Sequence, residues 1–133
     1  MQRIMLSENH RRAVSVSLCI VEELLNEFEK VLNHPPDASL SKMICDISRQ
    51  EKNGTLENIT KAKQWIQELA HKYGLSVKKS YVSRIKSSRK SKMWEILCDT
   101  ESERLRGYGE FPPEYSQEFD EDINRLQALI NQL

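Results

Sequence analysis

With 133 residues and Lys+Arg and Asp+Glu equal at 20 each, the chain carries no net field to steer it toward nucleic acid or an acidic membrane. Its 38% apolar and 30% charged content is that of amphipathic helices with wide solvated faces, and the length suits one domain, 1–133, around one core. Four glycines and four prolines are too few for the turns of a many-stranded β fold.

Ser7 predicts the N-cap of a first helix that reaches about Leu32. Its stripe is Val14, Leu18, Val21, Leu25, Phe28 and Leu32, yet Val16, Cys19 and Ile20 lie off that stripe, so mid-helix is apolar almost all round. A surface helix has no need of this; either the bundle centre or a second subunit is expected there. The apolar run 13–21 is too short to span a membrane and passes straight into Glu22 and Glu23 without a small-residue cleavage site. Cys19, Cys45 and Cys98 are odd in number and widely spaced among apolar neighbours, which fits reduced, partly buried thiols in a cytoplasmic protein.

Pro35-Pro36 stops the first helix, because a residue before proline avoids the helical region. A short second helix is predicted from Asp37 or Ser39, with Leu40, Met43, Ile44 and Ile47 on one face, ending at Asn53-Gly54. Thr55 is expected to cap a third, whose face is Leu56, Ile59, Ala62, Ile66, Leu69, Ala70 and Tyr73, closed by Gly74. The fourth runs from about Ser76 to Arg106, ~46 Å at ~1.5 Å per residue. Gly107 fits a left-handed cap, and Ser116 caps a last helix with the heptad seam Phe119, Ile123, Leu126, Ile130 and Leu133. Short connections favour antiparallel neighbours. The expected fold is therefore all-α: an up-and-down bundle of about five helices, with long helices 1 and 4, a short helix 2, and the last helix folded back on helix 4.

Candidate chemistry is sparse. Glu68 and His71 form one E-x-x-H, half of a di-iron ligand set, but a helical wheel turns both about 150° from the apolar face, toward water. His10, near the first cap, reads as a partly buried histidine rather than a phosphotransfer group, and His34 as a loop residue. The cysteine spacings suit no zinc site, and no phosphate loop or nucleophile motif stands out. No cofactor, metal or catalytic residue is assigned, and the chain is read as a non-enzyme.

Two stretches point to binding. Between Lys78 and Lys92 stand seven basic residues, Lys78, Lys79, Arg84, Lys86, Arg89, Lys90 and Lys92, with five serines and no acid. Arg89 and Lys92 fall on the apolar face of Tyr81, Ile85 and Ile96; they either snorkel to water, meet Glu22 and Glu29 of the first helix, or bind phosphate. The loop holding Tyr108, Phe111 and Tyr115 is stiffened by Pro112-Pro113; it either plugs the end of the bundle or docks protein. The reading is a cytoplasmic, adaptor- or regulatory-type protein that binds another protein or itself, with no membrane partner. A homodimer would use Val16, Cys19 and Ile20, or Leu126, Ile130 and Leu133. Nucleic-acid association through 78–92 is the alternative.

Overall fold

A computed structural model describes residues 3–133. The chain is all-helical: α1 (Glu8–Asn33), α2 (Arg49–Lys72), α3 (Val82–Cys98), a 3-10 helix (Ser102–Tyr108) and α4 (Pro113–Asn131). Contacts divide it into two compact units, Met1–Lys78 and Lys79–Leu133. In the first α1 packs on α2, and in the second α3 packs on α4. Among the described residues no helix is long and apolar enough to cross a membrane.

In the first unit Ser7 caps α1 as expected, its hydroxyl accepting from the His10 N–H at 3.1 Å. The short helix expected from Asp37 or Ser39 to Asn53-Gly54 is absent over 37–48, and residues 49–54 belong to α2 instead. Two prolines deliver the chain there in extended form, and so short a segment cannot repay helix nucleation without packing. Instead Ala38 N–H donates to the Ser41 carbonyl at 2.9 Å, Met43 N–H donates to Pro36 at 3.2 Å, and Asp37 bridges Lys42. Leu40 sits at the tip of this turn, wholly exposed.

The next helix starts at Arg49 rather than Thr55, because Ser48 accepts from the Glu51 N–H at 3.1 Å. Ser48 and Glu51 have the spacing of a capping box. α2 then runs straight through Asn53-Gly54. A helical glycine costs only about 1 kcal/mol, and a side chain added at Gly54 would meet nothing beyond its own helix within 4 Å. Gly74 does end the helix, at φ 61°: Leu75 N–H bonds Ala70 at 2.8 Å and Gly74 N–H bonds His71 at 3.3 Å, a Schellman closure. Ile4 N–H reaches the Lys72 carbonyl at 2.7 Å, and Lys63 pairs with Glu29 at 3.4 Å. The start of the chain therefore lies at the end of α2, and α1 and α2 are antiparallel.

In the second unit the long fourth helix is shortened at both ends. α3 starts at Val82 because nothing caps it earlier: no side chain and no first-turn acid serves its N-terminus. Lys78 and Lys79 would bring positive charge to the positive end of the dipole. It stops at Cys98 because Asp120 of α4 captures Ser102, accepting from its N–H at 2.8 Å and its hydroxyl at 2.7 Å. That bond opens the 3-10 helix, which Gly109 (φ 126°) closes rather than Gly107. α4 begins at Pro113, three residues before Ser116, since proline has no N–H to lose in a first turn. Lys90 donates to the carbonyls of Asn131 and Leu133 at 3.0 and 3.3 Å, and Gln127 donates to the Cys98 sulfur at 3.5 Å. The last helix is thus folded back, antiparallel to α3.

The two glycines of the first unit should respond oppositely to alanine. Gly54→Ala should raise the unfolding free energy by roughly 0.5–1 kcal/mol, since it removes backbone freedom from open helix. Gly74→Ala should lower it by about 1 kcal/mol or more, since a side chain is strained at that φ. Urea denaturation of the two variants checks both signs.

Candidate functional site

The informative surface lies on α1. Seven of its ten buried and half-buried residues, Arg11, Ser15, Leu18, Glu22, Leu25, Glu29 and Leu32, step by alternating fours and threes, a heptad seam. This seam meets α2: Glu29 pairs with Lys63, and Ser15, Leu18 and Glu22 share a groove with Ile66, Gln67 and Ala70. More than half of it is polar. A second row, Val14, Ser17, Val21, Leu24, Phe28 and Val31, steps by three, four, three, four, three. It lies about 100° further round the helix and is apolar apart from Ser17. Here Val21, Leu24 (58%) and Phe28 are exposed, and only Val14 and Val31 are half-buried. The more apolar of the two seams is the one α2 leaves uncovered.

The expected stripe from Val14 to Leu32 straddled both seams, so it faces α2 only along one edge. The uncovered row opens on the flank where Phe28, Val31 and Leu32 line a groove with Met43, Ile44, Ile47, Glu51 and Thr55. Trp65 stands two heptads after Glu51, so it opens on that same flank, 53% exposed. On the opposite flank the groove walls are Arg11, Arg12, Ser15, Cys19 and Lys78. The two flanks therefore differ in charge: the second carries Arg11, Arg12 and Lys78 beside Val16, and the groove of the first holds no cation.

Of the residues named for self-association, Ile20 is exposed beside the uncovered row, whereas Val16 is exposed on the opposite flank, in the groove of Arg12 and Cys19. Cys19 is on that same opposite flank, where its thiol donates to Glu23 at 3.4 Å. The Glu23 carboxylate, with some burial, holds that thiol protonated above its ordinary range. Cys45 is exposed rather than partly buried. Leu126 of α4 and Leu133, two residues beyond its end, are exposed while Ile130 of α4 is half-buried.

The basic run is divided by the fold. Lys78, Lys79, Arg84, Lys86, Arg89 and Lys92 are exposed, and every residue from Ser76 to Arg89 is exposed with them. Lys90 alone is half-buried, at the negative end of α4, where its bonds to the last carbonyls satisfy a helix terminus. Glu29, offered as a partner for Arg89 and Lys92, is taken by Lys63. Arg84 lies over the Tyr81 ring at 5.9 Å. The aromatic loop is divided too: Phe111 packs on Phe119 with centroids 4.9 Å apart, whereas Tyr108 (92%) and Tyr115 are exposed.

Glu68 and His71 are both exposed, as their wheel positions require. His10 is exposed rather than partly buried, with Nδ1 2.8 Å from the Ser7 hydroxyl. Among the described residues no three His, Cys, Asp or Glu side chains gather to hold a metal ion. Two polar contacts escaped sequence reasoning, Glu29–Lys63 and Asp120–Ser102. Nothing in residue spacing marks the second. The first is equally hidden, since Glu29 stands in a seam whose other polar members, Arg11, Ser15 and Glu22, read as surface in a single helix.

The Ser102 N–H, then the Ser102 hydroxyl, hold the Asp120 carboxyl below its ordinary value of 3.8. A carboxyl so depressed stabilises the fold above that value, and the contribution is lost as pH falls below it and through the lowered folded value. The urea midpoint of the second unit, read from Trp94 in a Trp65→Phe background, should drop on acidification below pH 5, and drop less in Asp120→Asn.

Set against known families, curated proteins and solved structures, the chain matches none of them.

Proposed function

We propose that this protein works without chemistry of its own, as a cytoplasmic protein-binding helical hairpin of adaptor or regulatory type, and that it binds a second copy of itself. The observation behind this reading is the uncovered row on α1. A helix with two heptad seams about 100° apart is shaped for two neighbours, as in a four-helix bundle, and α2 supplies one. The hairpin face has adequate size. α1 has 26 residues, hence about 39 Å, and two helices about 10 Å apart make a face near 800 Å², close to the share of each partner in a standard interface.

Sedimentation at tens of micromolar should give about 31 kDa, twice the 15.6 kDa chain. Leu24→Glu, on an exposed position, should convert it to monomer with its helical circular dichroism unchanged. A wild-type monomer throughout that range would remove the self-association reading.

Nucleic-acid association is the second reading, favoured by the six exposed cations of 78–92 and by Arg84 over Tyr81. Against it stand the neutral whole chain and the acidic 93–122 of the same unit. Binding to random duplex DNA should accordingly be weak at physiological salt. Arg89→Met with Lys92→Met should change stability by no more than about 0.5 kcal/mol, as expected of solvated surface charges. Submicromolar binding whose log–log salt slope is near −0.9 per phosphate contacted would put this reading first.

A further inference from the structure

We propose that two copies pair through α1 in antiparallel orientation, each hairpin forming half of a four-helix bundle about a two-fold axis that crosses α1 between Glu22 and Glu23. This rests on the self-association proposed above and adds orientation and register.

The row itself carries the argument. Its steps of three, four, three, four, three read the same in both directions, so an antiparallel copy can meet it position for position. In that register Val14 faces Val31 of the second copy, Val21 faces Leu24, and Ser17 faces Phe28. The small residue of the row thus lies opposite its largest, which is how facing layers of a packed core fill space. A parallel pair would set Phe28 against Phe28 and Ser17 against Ser17, one contact overfilled and the other a void.

Charge favours the same choice. Glu27 is the one acid bordering the row on its outer side. In a parallel pair the two Glu27 side chains would be level across the contact. In the antiparallel register they are nine residues apart along the axis, about 14 Å, beyond a Debye length of about 8 Å. The helix dipoles also oppose rather than align.

Trp65 and the groove of Phe28, Met43 and Ile44 open on this flank, so both lose exposure when it is covered. The opposite flank, with Arg12 and Lys78, stays in water.

Size exchange tests the register. Ser17→Phe alone and Phe28→Ser alone should each weaken the dimer at least tenfold in sedimentation. The double variant should recover to within about threefold of wild type, because a large side chain again faces a small one, with the two positions exchanged. Spin labels at residue 12, with the native cysteines changed to serine, should lie ~31 Å or more apart in the dimer, since 21 residues of helix separate them. A dimer with these labels well under 25 Å apart, or one that Leu24→Glu leaves intact, would overturn the antiparallel pairing while leaving self-association standing. A chain that stays monomeric, or that pairs only with a different protein, would overturn the self-association as well.

Discussion

Two helices in contact share one line of side chains, and one line cannot cover an apolar band much wider than about 100°. The band on α1 runs from Val16 round to Leu18 and covers roughly 200°. α2 takes only its edge. Within this hairpin Leu32 and Ile59 are the apolar residues that count as buried, while Val21, Leu24, Phe28 and Trp65 remain exposed. Fully burying residues of this size contributes about 1.5–3 kcal/mol each, so the hairpin leaves a large part of its own driving force unused. The hydrophobic effect therefore favours anything that covers the flank.

Polar contacts divide the remaining work. The partly buried Glu29–Lys63 pair sits in the α1–α2 seam, where its mutual attraction offsets the cost of taking both charges out of water. In the second unit Asp120 gives Ser102 two bonds and decides where α3 ends. Lys90, the one basic side chain of its run that is not exposed, closes the far end of the same hairpin on the α4 carbonyls. Its six neighbours in that run keep their charges in water.

Composition and 3.6-residue periodicity were enough to read an all-α chain, the Ser7 cap, the Gly74 stop and the fold-back of the last helix. What periodicity could not weigh was competition between local signals. Asn53-Gly54 looked like a stop, but a capping box at Ser48 and Glu51 started the helix earlier, and one glycine was too weak to break it. The heptad pattern of α4 carried on in sequence while its partner helix ended, because Asp120 reached across to Ser102; a contact 18 residues distant leaves no trace in spacing. On α1 the apolar excess at Val16 and Ile20 was visible. Which half of the band α2 would take was not, because Arg11, Ser15, Glu22 and Glu29 look like surface in a single helix and become seam only beside Lys63 and Ile66.

The uncovered row is the centre of this account, and hydrogen exchange of the intact protein at graded concentrations tests it most directly. If a second copy covers α1, amide protection from Val14 to Val31 should fall as the protein is diluted, while protection in α3 and α4 stays constant. Protection in α1 that is independent of concentration from micromolar to near-millimolar protein would contradict it.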